Sequence, residues 1–233
     1  MSKKKALIIG GSRGIGQAIV TAMAQDWQIA YTYANAPDAA SSVPGFQADI
    51  RDATSITSAF DAAEALFGGP MNCVIVNAGI NVPAAPVADF PVENFRMLVE
   101  VNLIGAFNAL SEAARRVSNG GTITALTTAL VRQPVAGTGP YTATKAAVEA
   151  LLRSMQKELA PRNIRVNGVA PGPVDTELFR SGKDKAAIAR AGNMSPFERV
   201  GTADEVAETV RFIVSDEASW IAGQILQPNG GMV

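Results

Sequence analysis

The sequence predicts a single-domain α/β fold: one open, doubly wound parallel sheet with helices on both faces. Short continuous apolar runs recur along the chain, as strands buried on both faces require. Segments with apolar residues at helical spacing alternate with them, giving a βαβα order throughout. No linker or composition break divides the 233 residues, and nothing repeats beyond that alternation.

The first run is residues 6–9, followed by a glycine-rich turn. Ile15, Ala18, Ile19, Ala22 and Met23 then fall on one helical face. Residues 29–33 are a second strand, and 46–48 a weaker third running into Asp49. Between them, the polar stretch 35–45 contains Pro37 and Pro44 and predicts a loop or clipped helix. Thr54 is a suitable N-cap for a helix carrying Ile56, Ala59, Phe60, Ala63 and Phe67. Residues 73–76 form the fourth strand, ending at Asn77-Ala78-Gly79. Residues 91–117 read as one long helix or two abutting ones, and 122–127 as the fifth strand. The next helix starts near Pro140, suited to a first helical position, and its pattern stops at Pro161. Residues 164–169 form the sixth strand, 203–214 a helix and 224–226 the last strand. Residues 171–202 have no clear pattern, which suggests a lid or binding loop.

Composition removes most catalytic chemistries. The chain has no histidine, which excludes Ser-His-Asp and Cys-His catalysis, HExxH metal sites and an imidazole shuttle. Its one cysteine, Cys73, excludes an internal disulfide and a Cys-rich zinc site, and no metal is expected. Twenty basic against twenty-one acidic side chains leave a formal charge of −1, with no global attraction to nucleic acid or anionic membrane. Lys3, Lys4 and Lys5 precede only four apolar residues, too few for a signal-peptide core, and no run is long enough to span a membrane. The expectation is a soluble cytoplasmic protein with neither nucleic-acid nor membrane partners.

Two motifs carry chemistry. Gly10, Gly11, Ser12, Arg13, Gly14, Ile15 and Gly16 join the first strand to the first helix with GxxxGxG spacing. Glycines there let the backbone approach a pyrophosphate resting on the helix N-terminus, although a mere tight turn would look the same. Tyr141 and Lys145 are four residues apart, so phenol and ammonium share one helix face. A neighbouring cation favours the phenolate and would move the phenol toward an acid-base range; a solvated surface pair has the same spacing.

Both motifs occur in order on the strand-helix frame. With Asp49, Asn77-Ala78-Gly79, Asn102 and the segment from Pro171 to Thr176, the chain resembles the short-chain dehydrogenase/reductase family along essentially its whole length. The resemblance implies a Rossmann-type sheet and a reaction interconverting a carbonyl, either ketone, aldehyde or 3-oxoacyl thioester, and an alcohol. It implies Tyr141 as acid or base, Lys145 lowering its pKa and holding the nicotinamide ribose, and Asn102 placing a water behind Lys145. Cofactor contacts would come from Gly10, Ser12, Arg13, Gly14, Ile15 and Gly16, and from Asn35 after the second strand. Asp49 would accept from the adenine, with Ile50 beside it, while Asn77, Ala78 and Gly79 would line the cleft. Pro171 and Gly172 would also contact the cofactor, and Val174 and Thr176 would hold the nicotinamide carboxamide.

Two departures stand out. The family's carbonyl-orienting serine, thirteen residues ahead of the Tyr, is Thr128 here, with equal hydrogen-bonding capacity and an added methyl; Thr127 is a second possibility. Val76 stands where the family often has another Asn. No acid occurs at the end of the second strand until Asp38, and Arg13 sits where NADP enzymes of the family place a base. NADP is therefore expected over NAD. The family also implies a homodimer or homotetramer built through its two longest helices. A non-catalytic NADP-binding sensor on the same fold is the alternative, favoured by Thr128 and opposed by Tyr141, Lys145 and Asn102.

Overall fold

The computed structural model describes residues 3–233. Its strands are β1 (Lys5–Ile9), β2 (Gln28–Tyr33), β3 (Gly45–Gln47), β4 (Cys73–Val76), β5 (Thr122–Leu126), β6 (Arg165–Val169) and β7 (Ile225–Leu226). They pair in parallel in the order β3-β2-β1-β4-β5-β6-β7. The helices are α1 (Gly14–Met23), α2 (Ala53–Phe67), α3 (Val92–Leu98), α4 (Ala106–Arg116), α5 (Gly139–Leu159), α6 (Glu177–Arg180), α7 (Lys185–Gly192) and α8 (Ala203–Val214). This is the doubly wound Rossmann-type sheet that the sequence predicts.

Side-chain alternation along the strands divides the core into two layers. Leu7, Ile9, Val74 and Val76 pack with Phe60 of α2, Leu110 of α4 and Leu152 of α5. Ala6, Ile8, Cys73 and Ile75 face Ile19 and Met23 of α1 and Val210 and Ile213 of α8. Strand order reverses between β1 and β4, opening a crevice at their carboxyl ends, where ligands bind in sheets of this type.

Local chemistry sets the boundaries and corrects several expectations. Asp52, not Thr54, caps α2: its carboxylate accepts the Thr54 N–H at 2.9 Å. Of residues 35–45, Gly45 opens β3 and residues 35–44 form a loop without a helix, tethered where Tyr31 Oη accepts the Asp38 N–H at 3.0 Å. The predicted long helix is α3 and α4 joined by a π-helical segment, Val99–Gly105. Pro140 is the second residue of α5, still within the first turn, where its missing N–H costs nothing. The predicted lid contains two short helices. Asp184 caps α7 through the Ala187 N–H at 2.7 Å, and Val174 bridges Gly201 as the segment returns. A capping box between Thr202 and Glu205 then starts α8.

Phe60 is fully buried in the larger layer. Phe60→Ala is expected to lower the unfolding free energy by about 3–5 kcal/mol, through lost transfer energy and the cavity left behind. Urea unfolding with an unchanged m-value would measure it, and a loss below about 1 kcal/mol would contradict this packing.

Candidate active site

The turn after β1 is built by close backbone approach. Gly10 has φ +84°, and a Cβ there would lie 2.7 Å from Ala78 Cα. A Cβ on Gly16 would lie 2.0 Å from the Gly10 carbonyl oxygen, so α1 rests directly on the turn. Asn77 Nδ2 donates to that carbonyl at 2.7 Å, and the Asn77 and Ala78 N–H groups both donate to Ile9 O. The expected cofactor residue Asn77 thus fastens the glycine turn to the end of β4. The α1 N-cap, Arg13, makes no side-chain capping bond, and the first turn carries no acid, an arrangement suited to an anion.

This turn forms one wall of a cleft of about 380 Å³. Gly10, Ser12, Arg13, Gly14 and Ile15 line it, as do Asn35, Asp49 and Ile50. Asn77, Ala78, Gly79 and Thr176 complete the expected set within it. Gly16 instead lies beneath the turn. Pro171, Gly172 and Val174 also lie outside the cleft lining. Pro171 O accepts the Ala129 N–H at 2.9 Å, and the Gly172 N–H donates to Pro228 O at 3.1 Å, so this segment braces the end of β6.

Arg51 is a cleft residue that the sequence reading misses. Its Nε and Nη2 grip both oxygens of Asp49, the shortest contact being 2.6 Å, and hold that carboxyl below its usual range. The adjacent Asp49-Ile50-Arg51 sequence was the available signal. Across the mouth, Arg13 reaches Glu177 of α6 at 3.8 Å. Both side chains are well exposed, so the pair contributes little to stability.

The four expected catalytic residues, Asn102, Thr128, Tyr141 and Lys145, lie outside the cleft lining, Asn102 and Lys145 directly behind Gly79. Gly79 locates two of them: a Cβ there would lie 3.1 Å from Asn102 Oδ1 and 3.3 Å from Lys145 Nζ. Asn102 occupies the π-helical segment. Its carboxamide pairs with the backbone of Ile80, Oδ1 accepting at 2.8 Å and Nδ2 donating at 2.9 Å. Lys145 Nζ donates to Leu126 O at the end of β5, at 3.0 Å. Thr128 follows two residues later, its hydroxyl near enough to the Tyr141 phenol to favour the phenolate. Thr127 points elsewhere, to Glu149, so Thr128 is the threonine that meets the phenol.

The phenol lies above its ordinary value, not below it: burial pushes it up to about 12, with the neighbouring Thr128 hydroxyl acting in the opposite direction. Burial also brings the Lys145 ammonium down to about 8. Both shifts follow from the cost of removing a charged form from water.

A glycine turn that leaves a helix start open to an anion, beside a cleft with an ammonium set behind its Gly79, is the arrangement of the dinucleotide-binding α/β oxidoreductases. A family model described as enoyl-(acyl carrier protein) reductase matches residues 10–233. A short-chain type dehydrogenase/reductase of Picea abies is 36% identical, over 98% of this chain and 92% of its own length. An Arabidopsis thaliana protein, named NADPH-dependent aldehyde reductase-like protein, chloroplastic, is 37% identical over 100% and 95%. A short chain dehydrogenase from Burkholderia cenocepacia, solved in complex with NADP, superposes with a TM-score of 0.89 at 33% identity, covering 98% of this chain and 97% of that one. The chain belongs to the short-chain dehydrogenase/reductase family of oxidoreductases.

The Lys145 shift has a thermodynamic consequence. The unfolded chain retains the ordinary value of 10.5, so between pH 8 and 10.5 the folded chain holds fewer protons. The cost of burying the ammonium is therefore full below about pH 8 and disappears as pH rises through 10.5. Lys145→Met is expected to be more stable than the natural protein at pH 7, by up to about 3 kcal/mol, with most of that gain gone at pH 10. Urea unfolding at both values checks this, and a difference independent of pH would refute it.

Proposed function

We propose that the protein is an NADP(H)-dependent oxidoreductase interconverting a ketone or aldehyde and its alcohol, with Tyr141 as the acid-base group. The observation carrying this reading is Lys145 Nζ and Asn102 Oδ1 set directly behind Gly79 of the glycine-walled cleft, with Tyr141 one helical turn before Lys145 and Thr128 beside its phenol. The NADPH-dependent name of the plant relative and the NADP in the Burkholderia structure support the choice of cofactor.

The cofactor's pyrophosphate would rest on the Gly10–Gly16 turn and the start of α1, with the adenine beside Asp49 and Arg51. Arg13 and Asn35 would hold the 2′-phosphate, and Thr176 the carboxamide. When bound, NADPH supplies a hydride to the carbonyl carbon. Tyr141 gives its proton to the carbonyl oxygen, and its raised pKa keeps that proton available across neutral pH. The Thr128 hydroxyl orients the same oxygen and donates to the phenolate left behind. Lys145, while protonated, stabilises that phenolate through its charge and would bind the nicotinamide ribose. Asn102 fixes the backbone at Ile80, behind Gly79, and would place a water for reprotonation.

A homodimer or homotetramer in the cytoplasm is part of the same reading. Ile104 and Phe107 remain exposed at the π segment and α4, as a helix-to-helix contact would require.

Steady-state NADPH consumption is the test, with hexanal, 4-nitrobenzaldehyde, acetoacetyl-CoA and crotonyl-CoA as a panel. Turnover of a carbonyl member is expected, and Tyr141→Phe should lower kcat by on the order of 10²–10⁴-fold. NADPH binding without turnover would point to the sensor, and an undiminished Tyr141→Phe enzyme would exclude this mechanism.

Cofactor choice is read by thermal shift, since bound ligand stabilises the fold. NADPH should shift the melting temperature more than NADH. Arg13→Ala should weaken NADPH by about tenfold or more while leaving NADH within about twofold, as loss of a charged hydrogen bond to phosphate predicts. Equal weakening of both cofactors would remove Arg13 from phosphate recognition.

A further inference from the structure

Glu149 lies on α5 one turn beyond Lys145 and two beyond Tyr141, on the same helix face. It is only 1% exposed and has no part in the proton transfer described above. Its carboxylate receives both arms of the Arg132 fork, Nη1 to Oε1 and Nη2 to Oε2, each at 2.9 Å. Thr127 Oγ1 donates to Oε1 at 3.1 Å, and Arg153 Nη2 donates to Oε2 at 3.1 Å.

Thr127 and Arg132 flank Thr128 and the short turn Ala129–Val131 that follows it. Thr128 caps that turn by accepting the Leu130 N–H at 3.4 Å, and the Arg132 N–H donates to Ala129 O at 2.9 Å. One buried carboxylate therefore grips side chains on both sides of Thr128, from the helix that carries Tyr141. Buried ion pairs are inefficient sources of stability, because desolvation offsets most of their attraction. What a bidentate fork does supply is fixed geometry. Two hydroxyls that must meet at one substrate oxygen need that, since a misplacement of about 1 Å can cost on the order of 10²-fold in rate.

We propose that Glu149 and Arg132 are positioning residues for the reaction, holding the Thr128 hydroxyl in place against the Tyr141 phenol. The proposal rests on the reading of Thr128 and Tyr141 as the catalytic pair. Arg153 provides an internal control: it binds the same carboxylate but sits on the same helix and spans nothing.

The test uses the full-length protein, NADPH and whichever of hexanal, 4-nitrobenzaldehyde and acetoacetyl-CoA has the highest kcat/KM. Arg132→Met leaves Glu149 its Arg153 partner, and is expected to lower kcat by about 10–100-fold, in line with a sub-ångström to ångström misplacement. The KM for NADPH and the NADPH-induced thermal shift should stay within about twofold, because the Gly10–Gly16 wall is untouched. Arg132→Lys should recover part of the loss, whereas Arg153→Met should keep kcat within about twofold of the natural protein. In a Thr128→Val background, Arg132→Met should cost less than about twofold more, since a residue acting through Thr128 has nothing left to position.

Arg132→Met within twofold of the natural protein would overturn the proposal. So would an equal loss in Arg153→Met, or a full multiplicative loss on top of Thr128→Val. A Thr128→Val enzyme as active as the natural protein would remove the underlying catalytic reading as well, so the two failures are distinguishable.

Discussion

Helix α1 can lie where it does only because residue 16 has no side chain. The Gly10 carbonyl occupies the space that a Cβ would need, and Asn77 holds that carbonyl from the neighbouring strand. Three elements, β1, α1 and the end of β4, are thereby fixed around one peptide group. The cleft, the uncapped helix start and the approach to Gly79 all take their positions from that contact. The glycine motif is thus a packing constraint before it is a binding feature, and the same closeness serves both.

Beyond that wall, the chemistry is governed by desolvation. Burial raises the phenol and lowers the ammonium, so near neutrality the phenol is fully protonated and the ammonium is within reach of titration. In a chain without histidine, burial brings the Lys145 side chain within reach of a charge change near physiological pH. The spacing of Tyr141 and Lys145 shows their nearness but not that burial dominates the net shift of each.

The legible features were those set by local periodicity. Buried strands read as apolar runs, and Tyr141 and Lys145 share a face because a helix repeats every 3.6 residues. The glycine turn carries its own backbone signature. Features that depend on contact between distant segments were not legible. The π-helical segment around Asn102 accompanies a pairing with Ile80, which lies 22 positions away in sequence. Arg51 could be seen in the chain, but its grip on Asp49 needed the turn geometry. Asp52 displaced Thr54 as the α2 cap because the chain is still extended at Asp52, which leaves its carboxylate facing the free N–H groups. The Glu149 clamp draws on residues 17 and 22 positions away, and no residue-type pattern marks it.

The sheet also tapers. Its interior strands β2, β1, β4, β5 and β6 are four to six residues long, while the outermost, β3 and β7, have only three and two. An open parallel sheet always leaves two margins of unpaired backbone, and long margins recruit other chains into intermolecular β-structure. Here each margin offers too few amide groups to template a stranger. The protein can thus keep a strongly apolar interior, in strands with few charges to deter mispairing, without presenting that interior's hydrogen-bonding edge to its surroundings.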